Sequence, residues 1–369
     1  MDELKFRAAV VREIGEPMAI ETVSVGPLKD HDVLVQVRAA SICHTDLEVL
    51  EGQLRYPLPM ILGHEVAGTV ADCGTGVTSL VPGDPVALHW NPHCGHCFYC
   101  ANGQTILCEP FAQTRNQGLQ MDGQARHKLD GAPLHILMHL GGFAEYCVVE
   151  EQGAVKLPEE MPMAAASLLG CGVMTGVGAA THVAQVSWGS TVVVIGCGAV
   201  GLSAIQGARL AGAQTIVAVD TNRAKLARAP ALGATHVCNP VEEDAVSLVS
   251  QLNGGRGADF VIEAAGTERA FQASLELCRP GGKVVWLGKV DVDANVSFKW
   301  GSMMGERHIV RSSYGGTRPQ EDFPKLARAY LDGQLLLDEM ITRTISLDEI
   351  NDGFDALRAG QAVRTVIEF

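Results

Sequence analysis

Five β-forming residues, Thr191-Val192-Val193-Val194-Ile195, run directly into Gly196-Cys197-Gly198-Ala199-Val200-Gly201 and then into small residues as far as Ala211. A strand that is apolar on both faces must be covered on both faces, which is the condition of a parallel sheet flanked by helices. Glycines at this spacing permit a tight strand-to-helix turn and close packing of helix on strand. The alternation then continues with strands over 215–219, 236–238, 259–263, 283–287 and 308–312 and helices over 224–232, 243–252 and 268–278. Pro230 falls inside the first of these helices and should shorten it.

Six such strands in two βαβαβ halves make the sheet of a dinucleotide-binding domain, expected over 173–313. The glycine turn would let a pyrophosphate approach the N-terminus of the following helix, engaging Gly196, Gly198, Ala199, Val200 and Gly201. Asp220 ends the second strand, nineteen residues beyond Gly201. A carboxylate there hydrogen-bonds an adenosine ribose and repels a 2′-phosphate, so NAD is expected over NADP. Arg223 and Lys225 follow closely and soften that exclusion, with Lys225 a candidate cofactor contact.

The rest of the chain, 1–172 and 314–369, reads differently. Short strands around 33–37, 66–71 and 86–88 are separated by glycine and proline, suggesting an irregular, barrel-like β domain. Residues 109–142 are polar and poorly periodic and read as a long surface lobe. After Tyr314-Gly315-Gly316, a helix over 323–331, a strand, a helix over 347–358 and a strand over 363–369 return to the first domain. A formal charge of −14 argues against nucleic acid as a partner. Residues 163–180 carry no charge but hold four glycines, so a buried connector is expected in place of a membrane span. The first residues lack the basic start and apolar core of a signal peptide, so a cytoplasmic protein is expected.

Eleven cysteines without a secretory signal point to metal binding in a reducing compartment. Cys94, Cys97, Cys100 and Cys108, in the order C-x2-C-x2-C-x7-C, can wrap one tetrahedral ion, and a four-thiolate site is closed and structural. His93 and His96 interleave with them and are read as surface residues. Cys73, Cys147, Cys197, Cys238 and Cys278 are read as buried free thiols. A second set is scattered: Cys43 in Cys43-His44-Thr45-Asp46, His64 in Gly63-His64-Glu65, and Cys171 in Gly170-Cys171-Gly172. Each alone would be an ordinary core residue. A Cys2His set, however, leaves a fourth position open for chemistry.

These residues carry a resemblance. Gly63-His64-Glu65 with Gly68, Gly74 and Val77, the four-cysteine lobe, and Gly170–Gly176 resemble the medium-chain, zinc-dependent alcohol dehydrogenases, from near residue 30 to the last strand. The resemblance implies a GroES-like catalytic domain beside the Rossmann domain, two zinc ions per chain and an NAD-dependent enzyme acting on a small alcohol or aldehyde. It further implies a homodimer. Cys43, His64 and Cys171 would hold the catalytic zinc, a Lewis acid that acidifies an alcohol whose hydride passes to the nicotinamide. Asp46 would fix the tautomer of His64, Glu65 would tune the coordination, and Thr45 would take the alcohol proton. His44 and Arg364 would lie at the pyrophosphate, Thr175 would support the nicotinamide, and Leu287 would be a further cofactor contact. Trp90, Leu54 and Met138 would line the substrate pocket, with the indole crowding secondary alcohols.

Two positions depart from the family pattern. Where many members carry a histidine as the outer end of a proton relay this chain has Glu48, leaving Glu48, His44 or water to complete it. Where glutathione-dependent formaldehyde dehydrogenases carry an arginine, this chain has Ala112, with Arg115 three residues on. The leading expectation is therefore oxidation of primary alcohols, aliphatic or aromatic, and reduction of their aldehydes. The alternative is a formaldehyde dehydrogenase using glutathione or mycothiol adducts.

Overall fold

The computed structural model describes residues 3–369. It divides into two compact units, one comprising the chain up to Cys171 together with Arg318–Phe369, the other Gly172–Thr317.

The first unit contains two β structures. Strands Leu4–Val11, Ala19–Val25, His127–Leu129, Ala132–Ile136 and Met60–Ile61 close into a barrel. A seven-stranded sheet has Asp32–Ser41 at its centre, paired with Val66–Cys73, Tyr146–Glu150 and Arg364–Glu368. The last of these also pairs in parallel with Ile341–Ile345. The tail thus becomes part of the first unit's sheet.

The second unit is a six-stranded sheet in the order His236–Cys238, Thr215–Val219, Thr191–Ile195, Ala258–Glu263, Cys278–Trp286, His308–Arg311. All five pairings are parallel. Val193, Val217, Val261 and Val284 have no solvent exposure, as the continuous apolar runs require. The helix expected over 224–232 is a single turn, Arg223–Leu226, capped by the Asn222 side chain, and Pro230 lies beyond it.

The lobe expected over 109–142 is more ordered than its polarity suggests. It contains the helix Glu109–Thr114 and a hairpin that supplies two of the barrel strands. Asp130 and Gly131 both take positive φ, 51° and 80°, at the two-residue turn of that hairpin, and Leu129, Leu134 and Ile136 are buried behind it. The uncharged stretch 163–180 breaks at Cys171 into helices Met163–Ser167 and Gly172–Gly178. Among the described residues no single helix is long and apolar enough to cross a membrane.

One barrel residue yields a pH-dependent prediction. His127 is fully buried, neither ring nitrogen has a partner, and burial pushes its pKa down to about 4. An imidazole depressed in the folded state binds its proton more readily when unfolded. Its contribution to stability is therefore complete above about pH 6.5 and is lost as pH falls toward 4. The expected cost between pH 7 and pH 5 is about 2 kcal/mol for this group. Urea titrations at the two pH values should show that much less acid sensitivity in His127→Leu than in the wild-type chain.

Candidate functional site

The sequence Ser41-Ile42-Cys43 leaves the central strand of the first unit and enters the helix His44–Leu50 with Cys43 at its N-cap. Asp46 is fully buried in the first turn. Its Oδ2 accepts from the Cys43 amide at 3.1 Å, and its Oδ1 accepts from the Gly63 amide at 2.9 Å. The same Oδ1 lies 3.1 Å from His64 Nδ1. One carboxylate therefore ties Cys43 and His64 together and fixes the histidine ring. Cys171 reaches the group from the break between two helices, where its backbone is non-helical (φ −145°, ψ −79°).

Donor atoms of Cys43, His64, Glu65 and Cys171 all lie within 4.8 Å of one another. His64 Nε2 is buried and has no hydrogen-bond partner, as expected of a nitrogen kept for a metal. Two sulfurs and one imidazole suit zinc. The thiols are already polarised. Donation from Cys171 holds the Cys43 thiol well below its usual range against the opposing effect of burial, and the same contact, with burial, holds Cys171 well above. Burial pulls His64 down, but Asp46 and Cys43 outweigh it, leaving the imidazole well above its usual range. Burial lifts Glu65 to about 8, with Arg364 pulling the other way.

Glu65 and Arg364 form a buried ion pair, Nη2 to Oε1 at 2.9 Å. Sequence reasoning named both residues without connecting them, and no local signal links positions so far apart. This places the Arg364 guanidinium beside the donor set; a pyrophosphate contact for it rests on the resemblance. In the same unit His44 is exposed, Thr45, Glu48, Leu54 and Met138 are half-buried, and Trp90 is buried against Phe111 with ring centroids 6.1 Å apart.

The thiols of Cys94, Cys97, Cys100 and Cys108 also lie within 4.8 Å of one another. Backbone amides of Cys94 and Cys97 point at Cys108 Sγ and Cys94 Sγ, each at 3.3 Å, as they would toward thiolates. Amides of Cys100 and Glu109 draw Cys97 down to about 6, whereas burial lifts Cys100 to about 12. His96 is exposed, His93 is half-buried, and neither belongs to the cluster. All eleven cysteines are free thiols.

In the second unit the glycine turn has the geometry a dinucleotide needs. Gly196 has φ 94°, and a Cβ on Gly201 would stand 1.7 Å from the Gly196 carbonyl oxygen. A Cβ on Gly198 would meet nothing within 4 Å, so the turn is open on the side from which a phosphate would approach. Gly198 caps the helix Ala199–Leu210, whose first residues are Ala199 and Val200. Asp220 Oδ2 accepts from the Cys197 amide at 2.7 Å and Oδ1 from the Asn222 amide at 2.7 Å, which anchors the carboxylate beside the turn. Lys225 is half-buried, while Thr175 and Leu287 are buried.

Sequence reasoning named Met138 as a pocket residue but did not foresee the strained turn it forms with His139. Met138 and His139 both have positive φ, 50° and 63°, a conformation costing side-chain-bearing residues about 1–3 kcal/mol each. Just beyond, the Gly142 and Phe143 amides donate to the carbonyls of Gly63 and Leu62 at 2.8 and 2.9 Å. The segment just beyond the strained turn is thereby tied to the stretch between strands Met60–Ile61 and Val66–Cys73 that carries His64.

Comparison with known proteins agrees with this geometry. Residues 29–159 match the family model of the alcohol dehydrogenase GroES-like domain, and residues 199–332 that of zinc-binding dehydrogenases. The chain is 37% identical to an alcohol dehydrogenase class-3 of Cereibacter sphaeroides, over 99% of this chain and 100% of that one. Among solved structures, an alcohol dehydrogenase zinc-binding domain protein from Burkholderia ambifaria superposes with TM-score 0.96 at 34% identity over the whole of both chains. Benzyl alcohol dehydrogenase from Acinetobacter calcoaceticus superposes with TM-score 0.94 at 30% identity over 99% of each.

Proposed function

Because the chain belongs to the medium-chain, zinc-dependent alcohol dehydrogenase family, we propose that this oxidoreductase interconverts primary alcohols, aliphatic or aromatic, with their aldehydes, using NAD. The convergence of Cys43, His64 and Cys171 with Asp46 behind the imidazole carries the reading. When bound there, zinc supplies a Lewis acid of the kind that lowers the pKa of water from 15.7 to about 7.

The remaining work falls to the chain's own side chains. Asp46 accepts a hydrogen bond from His64 Nδ1–H and so presents the Nε2 lone pair inward. Thr45 accepts the alcohol proton. Glu48, three residues on in the same helix and so on the same face, passes it to solvent. Arg364 stays paired with Glu65 and keeps a second carboxylate from loading the centre with uncompensated negative charge. Gly198 admits the pyrophosphate and Asp220 selects the ribose without a 2′-phosphate. Trp90 supports the preference for an unbranched carbinol carbon, and the name of the Acinetobacter relative favours aromatic primary alcohols.

The test is a turnover series on zinc-loaded protein with benzyl alcohol, hexanol and 2-butanol, each with NAD and with NADP. Benzyl alcohol and hexanol with NAD should give the highest kcat/KM. A preference for 2-butanol would refute the pocket assignment. Faster NADH formation from formaldehyde with glutathione or mycothiol would replace the alcohol by a thiol adduct.

A further inference from the structure

Glu263 ends the strand Ala258–Glu263 of the second unit and is fully buried. In register it stands beside Ile195, which ends the strand that runs into the glycine turn. The strand order reverses between these two neighbours, with Thr215–Val219 and His236–Cys238 on one side and Cys278–Trp286 and His308–Arg311 on the other. At such a switch point a crevice opens outside the carboxyl ends of the strands, and dinucleotides bind across it.

The carboxylate fixes the loops at that point. Oε1 of Glu263 accepts from the Ala265 and Gly266 amides, each at 2.7 Å. The backbone carbonyl of the same residue accepts from the Leu287 and Gly288 amides at 2.8 and 3.2 Å. One residue thus ties together the segments 264–266 and 287–288. The two meet closely, since a Cβ on Gly288 would stand 2.3 Å from the Gly266 nitrogen and 2.5 Å from Glu263 Oε2. The first segment also packs on the glycine turn, where a Cβ on Gly196 would stand 2.9 Å from the Ala264 carbonyl carbon and from the Ala265 nitrogen. Oε2 is buried with no hydrogen-bond partner among the described residues. Burial pushes the carboxyl pKa up, against the pull of the Gly266, Ala265 and Gly288 amides and of Arg311. Perturbed carboxyls in a cleft cluster at functional sites.

A sheet of this order is built from two mononucleotide-binding halves. Asp220 lies in the first half and suits the adenosine ribose. The second half, to which Glu263 and the segments it ties belong, is left for the nicotinamide nucleotide.

We infer that Glu263 is a positioning residue for the dinucleotide, holding segments 264–266 and 287–288 in place to receive the nicotinamide half before the cofactor arrives. The inference rests on the proposed use of NAD and goes beyond it in naming the group that shapes one half of the cofactor site without touching the reacting atoms. Loss of that group should weaken NAD and spare a ligand that fills the adenosine half alone.

The experiment compares Glu263→Met, which keeps volume but removes the acceptor, with Glu263→Gln, which retains one oxygen for the two amides. NAD and AMP are titrated calorimetrically into each zinc-loaded protein. In Glu263→Met the Kd for NAD should rise about tenfold, the scale of one hydrogen bond to a charged acceptor, while that for AMP stays within about twofold. Glu263→Gln should recover most of the loss. Hydrogen exchange on the cofactor-free wild-type chain should find the Ala265 and Gly266 amides protected, and this measurement decides if Glu263→Met fails to fold. An unchanged Kd for NAD in Glu263→Met, equal losses for NAD and AMP, or unprotected amides in the wild-type chain each overturn the positioning role alone. A wild-type chain that binds neither nucleotide overturns the cofactor reading with it.

Discussion

His64→Ala should abolish alcohol oxidation, lowering kcat by at least about 10³-fold, while the protein stays folded and its zinc content falls from two to one per chain. The size follows from the several kcal/mol that a Lewis acid contributes, at 1.36 kcal/mol per tenfold in rate. His64 is the only nitrogen in its donor set, and its Nε2 has no hydrogen-bond partner among the described residues. Asp46 keeps its two backbone donors when the imidazole is gone, so the loop around Cys43 should hold. Metal analysis by plasma emission and a thermal melt separate the outcomes. Full zinc content with full activity would remove His64 from the centre, and with it the proposed chemistry.

Cys108→Ser should instead strike at stability. Cys108 is fully buried, caps the helix Glu109–Thr114 and receives the Cys94 amide. Binding energy at a closed thiolate site is folding energy, about 10–16 kcal/mol for zinc in small peptides. Losing one of four sulfurs should forfeit at least about 3 kcal/mol of it, a fall in Tm on the order of 10 °C for a unit of this size. Treating the wild-type chain with a strong chelator should bring its Tm down to that of the variant. An untreated wild-type chain whose Tm equals that of Cys108→Ser, and does not move on chelation, would show that the lobe holds itself together without metal.

Five of the second unit's six strands were legible to within one residue, while the helix expected over 224–232 shrank to a single turn. Strands Thr191–Ile195, Thr215–Val219 and His236–Cys238 carry their own signal, because a strand covered on both faces is written as an unbroken apolar run between turn residues. The lobe over 109–142 was not legible. Its hairpin strands are short, and the informative pair Asp130-Gly131 is a local turn signal without long apolar flanks. For the metal centres, spacing revealed the quartet, whereas the scattered trio was recognisable only through the motifs around each member. The Glu65–Arg364 pair and the Met138–His139 turn were invisible for a common reason. Both depend on segments that are distant in sequence and meet only in the folded unit, and neither residue type nor periodicity encodes the meeting.

The ion pair between Glu65 and Arg364 has a consequence for biosynthesis. Its members are separated by 299 residues, and the arginine arrives on the strand that completes the sheet of the first unit. While the polypeptide is still growing, the glutamate emerges long before the cation that neutralises it, and sealing a lone carboxylate into this interior would be costly. Pairing of Arg364–Glu368 with the central strand therefore brings the neutralising cation to Glu65 only late in synthesis.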